Sequence, residues 1–328
     1  SLDDRKGVAG AIALPSLEQQ VLLAEGRWRN LETLRIDLRF IRERFAAATA
    51  GAAALAEGRD WFAEQPGHHV KAYRSDFDGT LQPYSVYVPR AYDPRTSWPL
   101  AVGLHGFGSN HWLHMRRLFG RGNRPGESDA EAMRFMPPLP DAPMLVVCPN
   151  GRGSMGWEGL AEEDLWRAIE DVRHAYEVDV NRIYMTGLSM DGEGAWRFGL
   201  RHPDTFAAIA PVCTPTHYAF SKTDSRSYEP YEEIILEAKS LLNVAENAIN
   251  LPAHLYHGTA DTVVPIANSE AMFARLLALG CDAGYTKYAG VGHNAWDRAY
   301  ANGGVFRWFA GHRRNAYPRR VIHRAVLT

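Results

Sequence analysis

Arg182-Ile183-Tyr184-Met185-Thr186-Gly187-Leu188-Ser189-Met190-Asp191-Gly192 is an apolar run that breaks into small residues around one serine. It reads as a buried strand entering a sharp turn, with a helix following over Glu193 to Arg201. A serine on such a turn has its hydroxyl pushed clear of the backbone above the end of a sheet. That is the geometry of a serine nucleophile, and G-x-S-x-G is its sequence form. Here the pattern is Gly187-x-Ser189-x-Asp191-Gly192, with the last glycine displaced by one position. A motif this short occurs by chance, so its surroundings must decide.

Outward from it, short apolar strands alternate with amphipathic helices. Strands are expected at Pro99 to His105, Met144 to Pro149, Phe206 to Val212, Ala253 to His257 and Gly284 to Tyr288. Helices are expected over Glu162 to Tyr176 and Met272 to Leu279, and a hairpin over Lys71 to Tyr87 turns at Asp78-Gly79. This alternation implies an α/β fold with a mostly parallel, doubly wound sheet covered by helices on both faces. Active sites of such sheets lie at the carboxyl ends of the strands. Residues 1–66 read as an N-terminal helical extension, 67–312 as the catalytic domain and 313–328 as a tail. Within the extension, Ser16 to Gln19 has the form of a capping box opening helices that run to residue 58. Those helices are expected to dock on the domain or on a second subunit. The tail from Arg319 to Leu327 alternates like a strand.

The 328 residues carry 36 Lys+Arg against 38 Asp+Glu, so no excess of positive charge invites nucleic acid. No apolar run approaches the ~20 residues that span a bilayer. Three cysteines make no disulfide framework, which leans towards a reducing compartment; the chain begins at Ser1, which suits a removed signal peptide. Localisation is left undecided between the cytoplasm and secretion.

A serine hydroxyl needs a base, and the base a carboxylate that fixes its tautomer. In doubly wound hydrolases these follow the serine in the order acid, then histidine. The strand ending at His257 opens into Gly258-Thr-Ala-Asp261-Thr-Val-Val-Pro265, and the next into Gly290-Val-Gly292-His293-Asn-Ala-Trp296. Asp261 and His293 are therefore the expected acid and base. The N–H groups of Met190, at the helix start, and Phe107, in Leu104-His-Gly-Phe-Gly108, are the expected oxyanion hole.

With these motifs in order, the chain resembles the α/β-hydrolase superfamily over about residues 70–312. Within it the chain is similar to the esterase branch near prolyl-oligopeptidase catalytic domains, which holds feruloyl and acetyl-xylan esterases and polyhydroxybutyrate-depolymerase-like proteins. The motifs are Leu104 to Gly108, Asn181 to Met190, His257 to Pro265 and Gly292 to Trp296. The resemblance implies a serine carboxylic-ester hydrolase working through an acyl-enzyme on carbohydrate-linked acetyl or aromatic esters, with no cofactor or metal. The alternatives are a prolyl-oligopeptidase-like peptidase and a catalytically silent binding protein. The last draws on Asp191, where such families usually have glycine. At ~8 Å and an effective dielectric of ~20, an ionised Asp191 would oppose an oxyanion by about 2 kcal/mol unless paired or turned away.

Trp157 and Trp296 are expected at the cleft mouth, where flat rings suit sugar or aryl groups. Tyr218, in the aromatic loop 217–231, is expected to complete a wall of the substrate pocket. His105 and His257 read as structural. His68, His69, His111 and His114 lack the companion ligands of a metal site.

Overall fold

The apolar runs pair into one eight-stranded sheet. The structure, a computed structural model, describes residues 2–29, 38–133, 135–153, 155–220 and 228–325. The strands are β1 (Gly67–Arg74), β2 (Leu81–Val88), β3 (Trp98–Leu104), β4 (Leu145–Pro149), β5 (Val178–Leu188), β6 (Ala208–Val212), β7 (Ala253–Gly258) and β8 (Ala283–Tyr288). Their order across the sheet is β1-β2-β4-β3-β5-β6-β7-β8. The β1–β2 and β2–β4 pairs are antiparallel and all others are parallel.

Alternation along each central strand sends side chains to two separate cores. Leu100, Val102, Leu145, Val147, Ile183 and Met185 pack on one face. Their neighbours Ala101, Val146, Cys148 and Tyr184 pack on the other. A sheet buried on both faces has no solvated side, which is why its strands read as continuous apolar runs. The helices covering the sheet are α3 (His111–Leu118), the short α4 (Asp129–Ala132), α5 (Leu160–Ala175), α6 (Met190–Arg201), α8 (Ala267–Ala278), α9 (Trp296–Ala299) and α10 (Gly304–Ala310), while α7 (Pro230–Ala238) stands outside with no buried residue.

Ahead of the sheet stand α1 (Leu2–Arg29) and α2 (Leu38–Ala56). Residues 30–37, within the span expected to be helical, lie outside the described residues. Ser16 caps nothing: it sits in the middle of α1, fully buried. Its hydroxyl lies 3.3 Å from the Ala72 carbonyl oxygen and accepts from the Ala72 N–H at 3.2 Å. One helical turn on, the Gln20 amide donates to the Val70 carbonyl at 2.6 Å. Four helical residues rise about 6 Å and two strand residues about 6.6 Å, so the two periods nearly coincide. A helix thus satisfies the outward backbone groups of an edge strand, which would otherwise invite another chain.

The tail is not a strand over its described residues. Asn247, in a 3₁₀ turn over Leu241–Asn250, donates to the Leu200 and Arg324 carbonyls at 2.8 and 2.9 Å and accepts from the Arg324 N–H at 2.6 Å. Asn250 donates to the Arg320 carbonyl at 2.7 Å. Two side-chain amides do for this segment what a neighbouring strand was expected to do. Asn247→Ala should strand those buried groups, lowering stability by about 1–3 kcal/mol in urea unfolding.

Candidate active site

Ser189 lies between the last residue of β5 and the first of α6, at φ 58° and ψ −130°. Its N–H donates to the Val212 carbonyl at 2.9 Å, tying the turn to the end of β6. In the register of the sheet Leu104 stands beside Gly187, Leu188 beside Val212, and Gly258 beside Tyr288. The loops leaving β3, β5, β7 and β8 therefore emerge along one rim.

On that rim three expected side chains meet. His293 Nε2 lies 2.8 Å from Ser189 Oγ, and its Nδ1 lies 2.8 Å from Asp261 Oδ2. A carboxylate can only accept, so Nδ1 carries the proton and Nε2 is left to accept from the serine hydroxyl. Asp261 Oδ1 takes the N–H groups of Val263 and Val264, each at 2.9 Å. Burial alone would raise this carboxyl. The hydrogen bonds from His257, His293 and the Val264 N–H outweigh it and hold the group well below the usual carboxylate range.

His257 does more than fill the core. Its Nε2 is 3.2 Å from Asp261 Oδ2 and 3.0 Å from the Val264 carbonyl, and its Nδ1 faces Ser269 Oγ at 2.7 Å. Two acceptors at Nε2 and a hydroxyl at Nδ1 fix the Nε2–H tautomer, which supports the acid from behind. Sequence reasoning treated His257 as structural; its place immediately before the acid loop was the available signal. Cys213, His257 and Asp261 bring potential ligand atoms within 4.8 Å of one another. The Cys213 thiol is pushed up to about 12, by burial first and then by the Asp261 charge. A metal needs the thiolate. The trio is therefore better described as donors gathered around one carboxylate.

Met190 opens α6, where N–H groups have no intrahelical acceptor. Phe107 lies in the loop after β3 with its side chain 76% exposed. His105 anchors that loop, its ring nitrogens 3.1 Å from the Gly106 carbonyl and 2.8 Å from the Asn150 carbonyl. Trp296 stands edge-on to His293, with ring centroids 5.3 Å apart. Tyr218 stacks on His217 at 4.8 Å in the loop beyond β6, and residues 221–227 of that loop lie outside the described residues.

Trp157 departs from expectation. It is 1% exposed, packed against Gly151, Gly194 and His105, so it cannot present a face to substrate. The positive φ of 58° turns it inward beneath α6 instead. Asp191 is also buried, and neither of its oxygens has a hydrogen-bond partner. The Trp157 indole N–H leans towards it without closing a well-formed bond. Burial pushes this carboxyl well above its ordinary value, and the nearby Glu193 charge adds to the rise. Asp191 is thus neither paired nor exposed; its surroundings favour the neutral acid, which places no charge against an oxyanion.

The model of the prolyl oligopeptidase family matches residues 138–312, the span that holds Ser189, Asp261 and His293. The chain belongs to the prolyl oligopeptidase family. Like the esterases and peptidases it resembles, it is a serine hydrolase with the α/β-hydrolase fold. A bifunctional acetylxylan esterase/xylanase of Neocallimastix patriciarum is 26% identical over 222 residues, covering 64% of this chain and 30% of that protein. The chain therefore spans less than a third of that relative's length. Among solved structures, a thermostable esterase aligns with TM-score 0.54 and 23% identity over 75% of this chain and 63% of its own. A ferulic acid esterase aligns with TM-score 0.56 and 17% identity over 75% of this chain and 98% of its own.

A carboxyl whose folded pKa is raised binds more protons folded than unfolded, so stability falls as pH climbs from the unfolded value of about 4 towards the folded one. Asp191→Asn removes that decline. Its stability relative to the parent should grow between pH 4 and pH 8, measured by thermal unfolding across that range.

Proposed function

We propose that this protein is a carboxylic-ester hydrolase working through an acyl-enzyme. Ser189 Oγ attacks the ester carbonyl carbon while His293 Nε2 takes its proton. The carbonyl oxygen becomes an oxyanion held by the N–H groups of Met190 and Phe107, each worth roughly 3–4 kcal/mol in comparable sites. The C–O bond to the alcohol then breaks, and His293 returns the proton to the leaving oxygen. Water, deprotonated by the same imidazole, releases the acid and restores Ser189. Asp261 holds Nδ1–H and stabilises the imidazolium formed in each half.

The observation that carries this reading is the unbroken chain Ser189 Oγ, His293 and Asp261, with 2.8 Å at both links. The esterase relative supports ester over amide substrates, and acetylated or aromatic esters on carbohydrate are the class we favour. The family model favours a second reading, a serine peptidase, which would use the same chain on an amide. Residues 1–66 read as a helical extension and 67–312 as the catalytic unit.

Purified protein should hydrolyse p-nitrophenyl acetate and label with a fluorophosphonate at Ser189. Ser189→Ala should abolish labelling and lower kcat by at least ~10³-fold, and Asp261→Asn should lower it by about 10³–10⁴-fold. Absence of both activity and labelling, or an unchanged rate in Ser189→Ala, would overturn the reading. Faster cleavage of a peptide p-nitroanilide than of any ester in a matched panel would assign the peptidase instead.

A further inference from the structure

The leaving alcohol must sit on the His293 side, because that imidazole protonates it. On that side the next feature is Trp296, whose face carries the Arg117 guanidinium at 5.5 Å. Asp297 follows it and lines an open pocket of about 310 Å³ with Arg116, Arg121, Asn123, Arg124 and Pro137. Because Asp297 directly follows Trp296, the pocket lies past the first contact of His293, with Trp296 at a ring-centroid distance of 5.3 Å. A small aryl acetate does not reach so far; an alcohol of two or more sugar rings does.

The charges of this pocket do not balance. Arg116 is buried and pairs with Glu127 at 3.0 Å, and Arg117 pairs with Asp129 at 2.8 Å. Arg121 has one bond, at 3.3 Å, to the Pro138 carbonyl, and Arg124 lies over the Phe135 ring. Among the described residues neither Arg121 nor Arg124 has a carboxylate within ion-pair distance. Against these two cations stand Asp297, which accepts from the Asn294 amide at 3.2 Å, and Glu127, already paired with Arg116, which accepts from the Arg124 backbone N–H at 2.9 Å. Isolated exposed arginines are ordinary, but two guanidinium forks without a direct carboxylate ion pair in one concavity focus potential and match a planar oxyanion. Its frame is also fixed in advance. Arg116 donates to the carbonyls of Arg121, Gly122, Ala132 and Phe135, so binding need not order the loop. Pro137 is shared with a second pocket of about 300 Å³ lined by His68, Tyr87 and Arg90.

We propose that this pocket is a subsite for a carboxylate carried on the alcohol half of the ester, so that the substrate class is an ester of an acidic saccharide. The inference rests on the esterase reading. Arg121 and Arg124 grip the carboxylate, Asn123 borders it, and Trp296 spans the gap to the reacting bond.

The test compares an acetylated neutral disaccharide with matched disaccharides bearing a uronic carboxylate or a phosphate on the far ring. The parent should favour the uronate over the neutral ester in kcat/KM. Arg121→Gln/Arg124→Gln should lower that ratio by about tenfold, mainly through KM, and the double lysine variant should restore part of it. An unchanged ratio overturns the subsite, and a stronger preference for phosphate overturns the carboxylate assignment. Should the parent hydrolyse no ester, the esterase reading fails by itself. Calorimetric titration with the non-acetylated uronate disaccharide then judges the subsite: binding lost in the double glutamine variant supports it, and no binding to the parent overturns it.

Discussion

The backbone at Ser189 is the constraint on which the site depends. A non-glycine residue at φ 58° and ψ −130° costs about 1–3 kcal/mol and persists only where its surroundings leave no alternative. Here they leave none. The Ser189 N–H is held by the Val212 carbonyl, and a Cβ at Gly187 would collide with the Asp191 carbonyl. A Cβ at Gly192 would collide with the Thr214 hydroxyl. The turn is therefore clamped between the strand before it, the helix after it and the loop beyond β6. The glycine displaced to position 192 is the one the crossing with Thr214 requires. Position 191, freed from that demand, accommodates a side chain.

Two buried carboxyls near this turn show how surroundings rather than residue type set charge. Asp261 accepts two backbone N–H groups and faces two imidazoles, so its negative form is stabilised despite burial. Asp191 lacks a well-formed hydrogen bond on either oxygen, so desolvation prevails and raises its carboxyl well above the ordinary value. The first keeps the charge that an imidazolium needs opposite it. The second withholds a charge that would oppose the developing oxyanion.

Much of this was legible from the chain alone, because burial on both sheet faces writes strands as apolar runs, and the loops after them carry Ser189, Asp261 and His293 in order. The misreadings share a cause: each concerned a side chain whose partner is distant in sequence. Ser16 looked like a cap because Gln19 stands three residues on, whereas its partner is Ala72 on the edge strand. The tail looked like a strand because it alternates, whereas Asn247 and Asn250 take up its backbone. Trp157 was expected at the cleft mouth, whereas its indole packs against Gly151 and against Gly194 of α6. His257 was placed in the core correctly, but its bond to the acid depends on how the loop after β7 curls back.

Two segments outside the central sheet are built on different principles. On the His293 side, one buried guanidinium, Arg116, makes five hydrogen bonds that cross-link the segment between α3 and β4. Removing any partner would leave a charged donor unsatisfied in a buried position, a penalty of several kcal/mol, so this segment holds its shape. Beyond β6, α7 buries none of its residues and exposes Tyr231, Ile234 and Ile235. Its neighbourhood is joined to the body through exposed ion pairs such as Lys239–Glu158 at 3.4 Å. Such pairs contribute only about 0–1 kcal/mol each. The segment between α3 and β4 is therefore held far more firmly than the one around α7.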